Sequence, residues 1–368
     1  MNEPGIKLTT YFSERDRVGR QFLADALFDV YERHQIHTSV LLRGVEGFGQ
    51  HHHLQTDRLL TLSENLPAVS IAIDTRERIE RAVADVLNIT NHGLISLERA
   101  QLVSGQDLDR LALPSDPGRA IKLTVYGGRS VRSNGQTGYL GAVDRLRAAG
   151  AAGASVLLAV DGTLHGTRQR ARFLARNANV PLMLLSLGDA PTLSRALRQV
   201  SSLLTDPVAT VERVQICKSD GTLISAPGGI PDRDPAGLPI WQKLMIHAEE
   251  QAQVDGGPLY RVLVRRLREA GAAGATVLRG VRGFYADHEP FADRLLSLRR
   301  NVPVHVILVD TPMNIQRWWP LIDEATRFAG LVTSELVPAS HAFAGDRDAR
   351  LALAITPTLP PKHHRPLS

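Results

Sequence analysis

Val40-Leu41-Leu42-Arg43-Gly44-Val45-Glu46-Gly47-Phe48-Gly49 is the stretch from which the architecture is read. It returns as Val277-Leu278-Arg279-Gly280-Val281-Arg282-Gly283-Phe284, and in worn form as Val156-Leu157-Leu158-Ala159-Val160-Asp161-Gly162. Each copy is an apolar, strand-like run that stops in a glycine-bearing loop. A segment that recurs three times makes internal repetition the first hypothesis to test.

Working outward, the repeat extends over a whole unit. In the first, Ile6 to Phe12 reads as a strand. Phe22, Leu23, Ala26, Leu27, Val30 and Tyr31 then recur at helical spacing. Thr38 to Arg43 is a second strand and Gly44 to His53 a loop. Pro67 to Ile73 is a third strand, Arg76 to Leu87 a second helix and Gly93 to Glu98 a fourth strand. The same order returns in the other two copies. Lys7, Lys122 and Lys243 align, as do Gly47, Gly162 and Gly283, with no gap between each lysine and its glycine. Pro67 and Pro303 keep that register, and Pro181 needs a single deletion. Gly150 to Ala154 is copied unchanged as Gly271 to Ala275. Chance similarity would not hold such a register. The expected domains are 5–103, 119–217 (degenerate) and 239–340, with a disordered tail over 341–368.

The β-α-β-β-α-β order is the ferredoxin-like plan, an α+β fold with both helices on one face of a four-stranded antiparallel sheet. Ser39 to Leu42 and Val156 to Val160 show almost no polar/apolar alternation. Strands that are apolar on both sides need cover on both faces. Helices cover one. Neighbouring sheets cover the other if the three units close around a pseudo-threefold axis, so an intrachain pseudo-trimer is expected.

Composition narrows the function classes. The chain has 368 residues, 43% of them hydrophobic, and no apolar run near the roughly 18–20 residues of a membrane span. The N-terminus shows no signal-peptide core, and the lone Cys217 has no disulfide partner. A cytoplasmic protein is expected. The net charge of +5 comes from arginines spread over helix faces. No basic run interleaved with aromatics appears, so no nucleic-acid partner is expected.

The strings Thr276 to Phe284 and Val40 to Gly49, the latter followed by Leu59 to Pro67, resemble the PII-like family known as domain of unknown function 190. The resemblance spans all three units and is weakest in the second, where Leu158-Ala159 stands for Arg-Gly. It implies three fused PII-like domains, adenine nucleotides bound in clefts between them, and a mobile loop between the second and third strands that reports to a partner, a transporter or an enzyme.

Two places could hold such a ligand. One is the glycine segment with its flanking residues, Arg43, Gly44, Glu46, Gly47, Phe48 and Gly49, and the counterpart Arg279, Gly280, Arg282, Gly283 and Phe284. Glycines let the backbone approach a ligand and offer free N–H groups, although neither phosphate-loop pattern is present. The other is the start of the second helix, Asp74, Thr75 and Arg76, with Asp310 and Thr311, where a cap and the helix dipole favour anions. Arg43 and Arg279 end apolar strands and so call for a partner: Glu46, a neighbouring carboxylate or a ligand. His52, His165 and His288, one per unit, are the candidates for a metal, but no carboxylate or cysteine spacing supports them. No nucleophile–base pair or paired-carboxylate motif is present. Taken together, these features predict a non-enzymatic sensor of a nucleotide or similar small anionic ligand, acting on a partner protein as a monomeric pseudo-trimer. The alternatives are a metal-dependent nucleotide hydrolase using His52 or His288, and a structural adaptor with degenerate clefts.

Overall fold

The computed structural model describes residues 2–49, 52–56, 65–111, 113, 119–129, 132–133, 136–171, 179–292, 301–344 and 353. It is an α+β structure in which three similar units share one large antiparallel sheet, with six α-helices among the described residues.

In unit 1 the four main strands are Asn2–Ser13, Thr38–Phe48, Pro67–Thr75 and His92–Ser104. The third pairs with the second and the first, and the first also pairs with the fourth, giving the order 2-3-1-4. Helices α1 (Leu23–Arg33) and α2 (Arg76–Ile89) pack on one face of this sheet. Unit 2 repeats the order with strands Ala120–Gly128, Gly153–Leu158, Pro181–Gly188 and Thr205–Ser219 and helices α3 (Gly138–Ala148) and α4 (Ala190–Val200). Unit 3 does so with Trp241–Glu249, Ala275–Arg279, Pro303–Asp310 and Leu331–Val337 and helices α5 (Leu259–Glu269) and α6 (Pro312–Ala325).

Two sets of backbone pairings join the units in a closed circuit. The far end of the second strand crosses to a neighbour each time. Glu46–Phe48 pairs with Ala275–Val277, Arg282–Tyr285 with Gly153–Val156, and Asp161–Thr163 with Ser39–Leu41. The fourth strands close in the same way. Gln101–Ser104 pairs with Val208–Val211, Gln215–Ser219 with Leu331–Ser334, and Ala339–Ala344 with His92–Leu97.

The burial pattern follows from this closure. Each unit has its own core between helices and sheet. A fourth core is shared by all three, with Val40 and Ile71, Leu157 and Met183, and Leu278 and Ile307 meeting across the middle. That is why the second strand lacks alternation: it is buried at every position from Thr38 to Phe48 except Arg43.

Within the shared core lies a ring of six charges. Lys7 sits opposite Glu98, Lys122 opposite Glu212 and Lys243 opposite Glu335 on adjacent strands. The ammonium–carboxylate distances within units are 3.0, 3.3 and 2.9 Å. Each lysine also donates to the next unit's glutamate: Lys7 to Glu212, Lys122 to Glu335 and Lys243 to Glu98. None of the six residues is more than 7% exposed. The ring beside the apolar layer explains why the three lysines align.

Two expectations change. The glycine segment is not a loop, because extended strand runs through Gly44 and Gly47 to Phe48. The tail begins later than residue 341, since Ala339–Ala344 is a strand on unit 1. The rest of that tail lies outside the described residues, apart from Leu353. Cys217 is buried, and Trp318 belongs to the unit 3 core.

Burial pushes the Glu98 carboxyl up, but Lys243, Lys7 and Lys122 outweigh it and hold it well below the usual carboxylate range. Glu335 is lowered for the same reasons. Burial pulls Lys7 and Lys243 down, but their glutamates prevail and hold both above the ordinary lysine value. For Lys122 burial prevails, and its value is lowered. The depressed carboxylates stabilise the fold above their unfolded value of about 4.3, and this is lost as pH falls through the folded values. The raised lysines stabilise it below about 10.4, and this is lost as pH rises through theirs. Thermal melting should therefore show a broad plateau over the neutral range and a fall in acid. Lys7→Met, which takes one of two ammonium partners from each of Glu98 and Glu212, should cost about 3–5 kcal/mol in urea unfolding. A loss under about 1 kcal/mol would show that the ring carries little.

Candidate functional site

The aligned glycines lie at the joints between units. A Cβ on Gly47 would come 2.6 Å from the carbonyl oxygen of Ala275. On Gly162 it would meet Ser39 O at 2.5 Å, and on Gly283 Ala154 O at 2.6 Å. These three carbonyls occupy one register position, each in the preceding unit's second strand, unit 3 preceding unit 1 around the circuit. Pro67, Pro181 and Pro303 press on the same glycines from within the unit. Glycine is therefore required by close approach of another backbone rather than by a turn.

Beside each joint, the residue before the glycine reaches the first helix of the neighbouring unit, directly at two joints and through arginines at the third. Glu46, almost wholly buried, lies 3.4 Å from Arg261 on α5. Arg282, in the same register, lies 2.5 Å from Asp144 on α3. Asp161, the third counterpart, binds Arg168 at 2.8 Å. Arg168 and Arg170 then reach Asp25 on α1 at 3.3 and 2.9 Å, and Arg168 lies 3.4 Å from Asp29. Each joint has its own arrangement of sign.

Three surroundings result. Between units 1 and 3 there is a cleft of about 410 Å³, within the size range of small-molecule sites. Phe48 and Gly49 and the strand end paired with them, Ala273 to Thr276, line it together with Phe12, Asp16, Pro67, His92, Ile307 and Phe343. Between units 3 and 2 is a cleft of about 560 Å³ with charged walls. There Arg147 holds Glu289 at 2.7 Å beside the Arg282–Asp144 pair. At the third joint His37 stands where the other units have Ala152 and Ala273. Its ring packs edge-on to His165, with centroids 4.8 Å apart, and its carbonyl accepts from Gly166 N.

The residues singled out by sequence do not all converge. Phe48 and Gly49 line the first cleft and Arg282 the second. Gly44, Gly47, Gly280 and Gly283 are packed at the joints, and Phe284 is buried in the unit 2 core. Arg43 pairs with Glu14 at 2.9 Å and Arg279 with Glu250 at 2.6 Å, each inside its own unit. Unit 2 has changed both members of that pair: Leu158 replaces the arginine, and Arg129 replaces the glutamate and donates to Ala159 O and Pro181 O.

At the helix starts, Asp74 accepts from His37 N and Thr75 N, both at 2.7 Å, and Thr75 makes no side-chain cap. Asp310 accepts from Thr311 N and Asn314, while Thr311 caps α6 at Asn314 N. Arg76 pairs with Glu80 at 2.6 Å. These groups are engaged within their units, and none is among the residues lining either cleft.

The three histidines do not meet. His52 stacks on Phe48, His165 contacts His37, and His288 sits between Glu249 and Asp220, 3.1 Å from each. His51 lies outside the described residues. Glu98, Glu212 and Glu335 are within 4.8 Å of one another, but three ammonium groups lie between them and serve as their counter-ions.

Sequence reading missed Asp16, Gln55, Asn65, His92 and Phe343 of the first cleft. They come from loop ends far apart in the chain, and no local motif marks them.

Comparison with known proteins agrees with the repeat. The family of domain of unknown function 190, described as uncharacterized ACR, COG1993, matches residues 5–102, 120–216 and 241–339. The chain belongs to this family, in three tandem copies. A UPF0166 protein of Aquifex aeolicus is 34% identical over 92 residues, 25% of this chain and 86% of the relative. The UPF0166 protein MJ1524 of Methanocaldococcus jannaschii is 28% identical over 103 residues, 28% of this chain and 92% of the relative. Among solved structures, aspartate kinase from Synechocystis aligns with a TM-score of 0.26 and 11% identity, over 94% of this chain and 46% of that one. No helix among the described residues is long and apolar enough to cross a membrane.

The opposed charges at the joints are testable. Arg261→Glu sets a second carboxylate against buried Glu46 and should lower stability by about 3 kcal/mol. Adding Glu46→Arg should recover most of the loss. Additive losses in chemical denaturation would show that the pair does not couple.

Proposed function

We propose that the chain is a non-enzymatic PII-like sensor: three ferredoxin-like domains closed into an intrachain pseudo-trimer, with a small ligand held between domains. The observation that carries this reading is the cleft between units 1 and 3. One of its walls is the end of the second strand of unit 1, so a ligand there would touch the start of the segment leading to the third strand. Ordering that segment is how ligand occupancy would reach a partner protein, a transporter or an enzyme. An adenine nucleotide is the ligand class the family resemblance suggests.

Fusion makes the three joints inequivalent. Ionic pairs occupy the unit 3–unit 2 cleft, and His37 with His165 fills the third joint. Ligand binding is therefore assigned to the unit 1–unit 3 cleft, with the other two joints serving closure.

Calorimetry of the full chain with adenine, adenosine, AMP and ATP should give one binding event per chain. Ala273→His, which copies His37 into the open cleft, should weaken it at least tenfold without lowering the melting temperature. Failure of all four compounds to bind would overturn the sensor reading. Three equivalent sites would overturn the assignment to one cleft.

A further inference from the structure

We infer that the outer face of unit 2, made by helices α3 and α4, is the surface on which the regulated partner docks, and that it fits a carboxylate-rich protein segment. This rests on the sensor reading, which calls for a partner, and names the unit that meets it.

The first argument is how charge is divided among the units. Residues 119–217 carry thirteen lysines and arginines and five aspartates and glutamates. Residues 5–103 carry eleven and thirteen, and residues 239–340 twelve and eleven. The positive excess of unit 2 alone is therefore larger than the +5 of the whole chain. An imbalance of this kind, confined to one domain, points to an acidic partner.

The second is what occupies the acids of unit 2. Glu212 belongs to the central ring, Asp161 holds Arg168, Asp144 holds Arg282 of unit 3, and Asp189 caps α4 by accepting from Thr192 N. On the helix face Arg145, Arg195 and Arg198 are exposed. None of the three has an acidic partner among the described residues, and Arg195 Nη2 donates to Ala149 O at 3.3 Å. That bond sets Arg195 against the end of α3, one turn beyond Arg145, and Arg198 follows one turn along α4. In unit 1, by contrast, every helix arginine meets an acid: Arg33 Asp85, Arg76 Glu80, Arg78 Asp74 and Arg81 Glu77. Helix dipoles favour cations near C-terminal ends by about 0.3–1 kcal/mol each, but they do not call for a face without acids. Like charges three residues apart on α4 repel, so the stability of unit 2 gives no reason for the arrangement.

The third is the chemistry of the occupant. The planar guanidinium fork matches a carboxylate through two parallel hydrogen bonds. The large apolar residues that are exposed lie outside α3 and α4, so this face has nothing to insert into a bilayer. Tyr139, the sole aromatic residue of the two helices, packs against the unit 2 core and is not set out to stack on a base. Unit 2 is also the copy in which Leu158-Ala159 replaces Arg-Gly. Sensing at the unit 1–unit 3 cleft and docking on unit 2 are thereby divided between copies.

The test is equilibrium binding of three fluorescent probes to the full chain at physiological ionic strength: a decaglutamate peptide, a short DNA duplex and phosphatidylserine vesicles. We expect decaglutamate to bind tightest, and to weaken as salt is added. Reversing the face with Arg145→Glu, Arg195→Glu and Arg198→Glu together should weaken it about tenfold or more. Arg33→Glu, Arg76→Glu and Arg81→Glu on unit 1, the same change in net charge, should weaken it less than about threefold. Decaglutamate binding that is absent, weaker than that of DNA or vesicles, or equally sensitive to both reversals would overturn this inference. Circular dichroism and melting separate lost docking from lost fold, and glutamine at the same three positions of unit 2 removes the charge without adding acids. The unit 2 reversal should keep the calorimetric binding of adenine compounds, because none of its three arginines lines the unit 1–unit 3 cleft. Adenine binding without decaglutamate binding would remove this inference alone, and absence of both would remove the sensor reading with it.

Discussion

Six alternating charges, Lys7, Glu212, Lys122, Glu335, Lys243 and Glu98, meet at the centre of the molecule with almost no access to water. Taking such groups out of water is costly, and their attraction repays it only when every member has its partners. Each lysine draws one glutamate from its own unit and one from the next, so a sheet alone cannot complete the set. The ring therefore favours the closed arrangement over any opened one, because an opened one leaves half-paired charges facing apolar surface. The shared apolar layer of Val40, Leu157, Leu278 and their neighbours supplies the non-directional drive, and the charges fix which sheet meets which.

Around this centre the three copies have kept what closure needs and changed the rest. The glycine under the neighbour's strand and the proline beside it are the same in every unit, since any Cβ would strike backbone. The residue just before that glycine is free to vary, and it reads Glu46, Asp161 and Arg282. Its partner on the neighbouring first helix varies with it. Unit 1 closed against a second unit 1 would set Glu46 beside Asp25, the counterpart of Arg261, and unit 3 against unit 3 would set Arg282 beside Arg265, the counterpart of Asp144. The covalent chain thus permits each joint a distinct chemistry, and with it one apolar cleft, one ionic cleft and one filled with imidazole.

The parts of this that were legible in the sequence were those repeated in strict register. The βαββαβ order, the inward-facing sheets and the aligned lysines follow from period and burial logic. The glutamates of the ring were not recognised, because each lies far from its lysine in sequence and is completed by another unit. An acid in the middle of each fourth strand, Glu98, Glu212 and Glu335, was the available signal. The glycines were read as loop formers because glycine's two uses, turning and admitting another backbone, look alike without the neighbouring strand. Arg43 and Arg279 were rightly taken to need partners, but Glu14 and Glu250 lie just past the first strand and carry no mark. The cleft was visible only through Phe48 and Gly49. Its polar side, Asp16 with Asn65 and Gln55, is assembled from chain ends that no periodicity links.

The most direct test of the account is a double-mutant cycle across the joint that brings the two ends of the chain together, Lys243→Met, Glu98→Gln and the pair, measured by urea unfolding of the full chain. The closed ring predicts a coupling energy above about 1.5 kcal/mol, as found for close charge pairs. Losses that add to within about 0.5 kcal/mol, as for independent sites, would mean that units 1 and 3 do not share a buried centre.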